Sequence, residues 1–229
     1  MILYLFCGFI TGLFIPFIAS RLGKLIPADP GLLLLRMIHL PHFPKTDNLM
    51  HRYQLFKKWK KCCFISLAWG ITEAILFVSS FSFLPHSYTL WGCIFCWILT
   101  VSMVVDAKYW LLPDFFTIPL LLLGFLFSYQ NPAVGIQTSL MGAIFGYVIS
   151  VLSVLVMGMF SKNPQFGGGD AKMITALGAW LGILGLNYTL VLSFLLFVVL
   201  NALPVQRKGA FGPALGIASI IVFFILYVK

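Results

Sequence analysis

Two aspartates lie at the edges of long apolar segments in a chain that has few charged residues. Asp170 follows three glycines in FGGGDAKM, and Asp106 lies in VVDAKYWLLPD. An ionisable side chain in apolar surroundings is costly and is a functional candidate by default. Two such carboxyl groups could hydrolyse a peptide bond without a cofactor, because one takes a proton from water while the other donates a proton.

The composition excludes a soluble globular protein. The chain is 61% hydrophobic and only 9% charged, whereas soluble domains have about 25% charged residues. Several apolar runs reach the roughly 20 residues that cross a bilayer, and they are too long and continuous for membrane strands. We predict an all-α polytopic membrane protein with about eight transmembrane helices. The expected helices are 2–19, 64–84, 88–106, 114–129, 137–160, 171–186, 188–204 and 210–228, with a turn at Gly185–Asn187.

The basic residues predict the orientation of the chain. We divide it into a first transmembrane helix (1–19), a basic loop (20–63) and a membrane domain (64–229). Lysine and arginine gather in cytoplasmic loops, so the basic loop is expected inside and the N-terminus outside. Only Lys229 then lies outside, and both aspartates lie at the cytoplasmic face. This topology explains the net charge of +9 without nucleic acid as a partner. The run GLLLLRMIHL is too short to span and is expected at the membrane interface.

Each acid near a helix also has a structural interpretation. Asp114 follows a proline and is well placed to cap a helix. Glu73 lies inside an expected helix and could pair with a neighbouring helix or orient a catalytic group. Lys108 could form an ion pair with Asp106 at the membrane edge and so offset its negative charge. Asp170 could simply cap the helix that it begins. For a catalytic pair, the helix dipoles favour the proton on Asp106 and the role of base for Asp170.

The cysteine and histidine residues do not predict a metal site. Cys93 and Cys96 form a CxxC inside an apolar segment, where we expect them to pack as small hydrophobic side chains. His39, His42 and His51 have no regular spacing and no cysteine near them.

Four stretches resemble the type IV prepilin peptidases, a family of GxGD intramembrane aspartic proteases. FGGGDAK carries the GxGD signature as Gly167, Gly168, Gly169 and Asp170. DAKYWLLPD looks like the companion segment, in which an acid precedes LLPD. AFGPALGIAS resembles the final helix of the family, and WGITEAILF resembles the helix that carries its glutamate. The resemblance covers 64–229.

The resemblance implies cleavage of the leader of type IV prepilins or pseudopilins at the cytoplasmic side of the bacterial inner membrane. It makes Asp106 and Asp170 the catalytic pair. The three glycines before Asp170 would let substrate backbone approach it. Asp114 and Glu73 match motif positions without a catalytic assignment, and we count Lys172 with them as a supporting residue. The expected partners are the prepilin and membrane lipids; the oligomeric state is not predicted.

The chain departs from the pattern of the family in its basic loop. Many bacterial members carry two CxxC pairs there that resemble a zinc module, whereas residues 20–61 contain no cysteine. We therefore predict no zinc. Family members of the long form often also methylate the new N-terminus of the pilin, with S-adenosylmethionine as the methyl donor. We expect S-adenosylmethionine as a cofactor here only if that activity is retained.

Three other functions fit some of the same residues. Acids among membrane helices also serve transporters and channels, although such sites commonly lie at the midplane. An inactive relative could act as a scaffold for pilus assembly. A phosphate cradle is excluded by the missing GK[ST] ending and the missing strand.

Overall fold

The computed structural model describes residues 1–25, 49–110, 112–131, 134–160, 168–202 and 210–228. Regular structure in these ranges is entirely helical, which confirms the all-α prediction. The helices are α1 (Ile2–Leu25), α2 (Leu49–Phe83), α3 (His86–Tyr109), α4 (Asp114–Gln130), α5 (Ile136–Phe160), α6 (Gly168–Ala202) and α7 (Gly212–Tyr227). Five of them, α1, α2, α3, α5 and α6, are long and apolar enough to cross a membrane. Helices α4 and α7 are shorter and apolar, so the expected eight spans are not confirmed.

The turn between the sixth and seventh expected helices lies earlier than predicted. Helix α6 is interrupted at Gly182, where φ is 66° and ψ is −175°. Glycine adopts positive φ without the steric penalty of a Cβ atom. Residues 185–187 are helical, so the predicted turn at Gly185–Asn187 is wrong.

Helices α1 and α2 both extend into the segment predicted as a loop. Helix α1 continues to Leu25, and α2 begins at Leu49 rather than at 64. The start of α2, LMHRYQLFKKWKK, contains no glycine or proline and is rich in residues that favour helix. The expected interfacial run at 31–40, together with His39 and His42, lies outside the described residues.

Glycines allow α5 and α6 to cross at backbone contact. Both helices carry a GxxxG pattern, with Gly142 and Gly146 in α5 and Gly178 and Gly182 in α6. A Cβ atom on Gly142 would collide with the carbonyl oxygen of Gly178, and the converse also holds. Lipid tails are as apolar as the side chains, so close packing of this kind is a main source of helix association in membranes.

An aromatic cluster around Trp180 joins α4, α6 and α7. The Trp180 indole Nε1–H donates a 2.7 Å hydrogen bond to the Leu120 carbonyl of α4. The Tyr227 hydroxyl of α7 donates a 2.8 Å bond to the Trp180 carbonyl. The rings of Phe127 and Trp180 stack with centroids 5.1 Å apart, and Phe223 lies beside them. These contacts fix α6, whose first turn carries Asp170, relative to the other helices.

The crossing of α5 and α6 yields a stability prediction. We expect Gly142→Ala to lower the free energy of unfolding by about 1–3 kcal/mol, because its Cβ atom must displace the backbone of α6. The neighbouring Met141→Ala, whose side chain is exposed on α5, serves as the control. Unfolding in detergent, followed by circular dichroism, measures both. Equal stability of Gly142→Ala and wild type would contradict the close crossing.

Candidate active site

Asp106 is buried near the end of α3 and is held by the start of α7. Its side chain is 6% exposed. Its Oδ2 atom accepts a 2.9 Å hydrogen bond from the backbone N–H of Gly212, the first residue of α7. A Cβ atom on Gly212 would lie 2.6 Å from Oδ2 of Asp106. Glycine is therefore needed for α7 to approach the carboxyl group this closely.

The end of α3 is fixed by a residue in an uncommon backbone conformation. Trp110 has φ 58° and ψ 37°, the left-handed region that bulky residues rarely adopt. Its N–H donates a 2.8 Å hydrogen bond to the backbone carbonyl of Asp106. The left-handed cap ends α3 and turns the chain toward α4. The same residue that carries the carboxyl group thus also closes the last turn of α3.

Asp170 lies in the first turn of α6, close to the connection between α3 and α4. A Cβ atom on its neighbour Gly169 would lie 2.8 Å from Cβ and 3.1 Å from the carbonyl oxygen of Leu112. Leu112 belongs to this connection, which follows the last turn of α3, where Asp106 lies. The fold thus brings the start of α6 and the end of α3 to the same end of the helix bundle. Two carboxyl groups on different helices at one end could serve acid–base hydrolysis, which requires both to come within hydrogen-bonding reach of one peptide bond.

The glycines before Asp170 differ in their surroundings. A Cβ atom on Gly168 would meet no atom of the described residues within 4 Å, whereas one on Gly169 would meet Leu112. The close packing against Leu112 is therefore one reason why residue 169 must be glycine. The predicted approach of substrate is a second reason. Gly167 lies outside the described residues.

Asp114 and Lys172 join the start of α4 to the start of α6. Lys172 Nζ lies 2.6 Å and 2.7 Å from the two carboxylate oxygens of Asp114. Both side chains are about half exposed, at 51% and 55%. The N-cap of α4 is Pro113, with Asp114 as the first helical residue. Asp114 therefore does not cap the helix as predicted; it forms an ion pair with Lys172.

Glu73 is buried within the membrane part of α2. Its exposure is 0%, and its carboxyl oxygens have no hydrogen-bond partner among the described residues. A Cβ atom on Gly12 of α1 would lie 2.9 Å from Cβ of Glu73. Close packing of α1 on α2 thus encloses this side chain.

A second helix end also acts on Asp106, the residue to which the dipole argument assigns the proton. The α3 dipole alone favours the proton on Asp106. However, the Asp106 carboxyl group also accepts a hydrogen bond from the first turn of α7, and a helix N-terminus favours a negative charge. Helix ends of both signs therefore act on Asp106, and dipoles do not decide which aspartate holds the proton.

Gly212 is the site residue that sequence reasoning missed. In the sequence, AFGPALGIAS shows only a resemblance to the final helix of the family, and nothing in it gives the first glycine a role. A glycine followed by proline at the start of an apolar helix was the available signal, because proline is favoured in the first helical turn. Only the tertiary contact with Asp106 explains why glycine is needed there.

Neither the metal-ligating side chains of the described residues nor the lining of two of the cavities fits a metal or a methyl donor. No group of three His, Cys, Asp or Glu side chains converges in the part of the chain that the structure describes. Cys93 and Cys96 are free, buried thiols, and their predicted packing role is confirmed. Two cavities, one between α2, α3 and α7 and one between α2 and α7, are lined without any charged side chain. This lining does not fit the charged amino-acid portion of S-adenosylmethionine, so we assign it no residue.

The sequence of this chain is similar to those of the type IV leader peptidases. This family matches the chain over residues 93–202, which include both aspartates. The prepilin leader peptidase/N-methyltransferase of Vibrio cholerae is 32% identical over 171 residues, covering 70% of this chain and 67% of that protein. No solved structure matches significantly.

Further relatives carry the same name. The Neisseria gonorrhoeae protein is 37% identical, with 59% of this chain and 48% of its own length covered. The Dickeya chrysanthemi protein is 33% identical, with 69% and 60% covered. The chain thus matches between about half and two thirds of the length of these relatives. The resemblance read from the motifs is confirmed, and the chain belongs to the type IV leader peptidase family.

Proposed function

We propose that this protein is an aspartic endopeptidase that removes the N-terminal leader of a type IV prepilin or pseudopilin, with Asp106 and Asp170 as its catalytic pair. The observation that carries the proposal is the buried Asp106 carboxyl group, held by the Gly212 N–H at the end of the bundle where α6 begins. Membership of the family and the names of the relatives support the substrate class.

The chemistry needs only the two carboxyl groups and water. The ionised carboxylate accepts a proton from water as the water oxygen bonds to the peptide carbonyl carbon. The protonated partner donates its proton toward the carbonyl oxygen. The C–N bond then breaks, and a proton passes to the leaving amine. The two groups share one proton, because like charges close together disfavour ionisation of both.

The site is proposed to face the cytoplasm. The basic residues at the start of α2, Lys108 and Lys172 all lie on the side predicted as cytoplasmic. A substrate with a basic leader would present its leader on that side and keep its apolar helix in the bilayer. The apolar helices and the bacterial relatives support a place in the bacterial inner membrane.

Leader cleavage in liposomes tests the catalytic pair. We expect Asp106→Asn and Asp170→Asn each to reduce the cleavage rate of a prepilin from the same source by about 10²- to 10⁴-fold, the usual effect of losing an acid or base. The control is Asp29→Asn, an acid of the predicted loop with no assigned role. Cleavage at the wild-type rate by either catalytic variant would remove that residue from the mechanism. No cleavage by folded wild type would favour the scaffold or transporter.

Gly212 and Gly169 are expected to be essential for cleavage. Gly212→Ala places a methyl group against the Asp106 carboxyl group, and Gly169→Ala pushes the start of α6 away from Leu112. We expect each to reduce cleavage about 10²-fold, since a displacement of about 1 Å is sufficient for such a loss. Met141→Ala, at an exposed position of α5, is the control and should retain cleavage. A Gly212→Ala enzyme with wild-type activity would refute the close contact with Asp106.

The ion pair between α4 and α6 should contribute little. Because both groups are half exposed, we expect a coupling free energy of about 0.2–1 kcal/mol between Asp114 and Lys172. The double-mutant cycle of Asp114→Asn and Lys172→Met, followed by unfolding in detergent at low and high salt, measures it. We expect cleavage to survive in both single variants. Complete loss of cleavage in Asp114→Asn would instead indicate a direct role in the reaction.

A further inference from the structure

Helices α2 and α7 both pack on α3 but make no extensive contact with each other. A cavity of about 420 Å³ lies between them, with α3 as its floor. A second cavity of about 550 Å³ shares Leu76, Ile220 and Ile221 with the first and continues to Phe83 and Val228. The two cavities form one groove, the α2–α7 groove, which is open to the lipid.

The α2–α7 groove begins beside the candidate catalytic residue. Ala107 and Pro213 line its first cavity. Ala107 directly follows Asp106, and Pro213 directly follows Gly212, the residue that binds the Asp106 carboxyl group. A chain lying in the groove would therefore end next to Asp106.

The length and lining of the groove match a membrane helix. Helix α7, which forms one wall, has 16 residues and is about 24 Å long, close to the roughly 30 Å of the bilayer core. Apart from Thr72, Thr100 and Ser79, the lining is apolar. Such a surface suits an apolar helix and offers nothing to a polar soluble peptide. A gap between two helices that pack on a third is also where a further helix can pack.

We propose that the α2–α7 groove receives the transmembrane helix of the prepilin and delivers the peptide bond at its cytoplasmic end to Asp106. This inference rests on the proposed function, since it names the surface by which the same enzyme holds its substrate. It explains how the enzyme can act at a bilayer face: the substrate enters sideways from the lipid, and its helix stays in the membrane during cleavage.

Photo-crosslinking in liposomes tests the occupant of the groove. A photoreactive amino acid is placed at Ile217, Ile221 or Ile225 in the Asp106→Asn enzyme, which retains uncut prepilin. Ile225 is 67% exposed, so the change is compatible with folding. Val191 and Phe194 of α6, which are also exposed, are the control positions. We expect prepilin adducts from the groove positions and none from the controls.

The positions of the adducts sharpen this test. Ile217 and Ile225 lie about 12 Å apart along α7. The adduct from Ile217 should therefore map nearer the cleavage site of the prepilin than the adduct from Ile225. Lipid adducts alone, or equal prepilin adducts from groove and control positions, would overturn the proposal.

Filling the groove provides a second measurement, made with the active enzyme. We expect Ile217→Trp to lower kcat/KM for the membrane-embedded prepilin by about tenfold or more, chiefly through KM, because the larger side chain obstructs the groove. Val191→Trp adds the same ring to a lipid-facing position and should have no effect. Equal activity of the two variants would refute the groove as the docking site. Failure of wild type to cleave would instead refute the proposed function, so the two failures are distinguishable.

Discussion

The hydrogen bond from the Gly212 N–H to the Asp106 carboxyl group is the contact on which the candidate site depends. It joins the end of α3 to the start of α7 at 2.9 Å, and it is possible only because Gly212 has no Cβ atom. It supplies a buried carboxyl group with a backbone donor, which a polar group in apolar surroundings requires. It also fixes the two helices that form the floor and one wall of the α2–α7 groove. One contact thus connects the proposed chemistry to the proposed route of the substrate.

The rest of the bundle keeps this contact in place through close backbone packing and one aromatic cluster. Gly142 and Gly178 bring α5 and α6 together, and Gly169 brings the start of α6 onto Leu112. Trp180 joins α6 to α4 and α7 through its indole N–H and its carbonyl. In a bilayer, where apolar surfaces gain little by leaving lipid, such close fits and buried hydrogen bonds replace the hydrophobic effect as the source of order.

The sequence was sufficient to predict what depends on composition and local motifs. Apolar runs predicted an all-α membrane protein, and two motif segments pointed to Asp106 and Asp170 as candidates. It did not reveal what depends on tertiary contact. In the sequence, Gly182, where the helix breaks, cannot be told apart from the other glycines of α6. Nothing near Gly212 in the sequence indicates that it binds Asp106. Asp114 looked like a cap because it follows a proline. Its actual partner, Lys172, is distant in sequence. For the same reason, the proton assignment considered only the helix that carries Asp106 and not α7, which meets it. That assignment stays a prediction.

The central claim is that Asp106 and Asp170 act on one peptide bond as a unit. The most direct test is the cleavage rate of the double variant Asp106→Asn/Asp170→Asn, compared with each single variant in the same liposomes and with the same prepilin. Residues that act together are strongly non-additive, because removing either one already abolishes their joint contribution. The account predicts that the double variant is no slower than the slower single variant. A double variant whose loss equals the product of the two single losses would show independent roles and would contradict it.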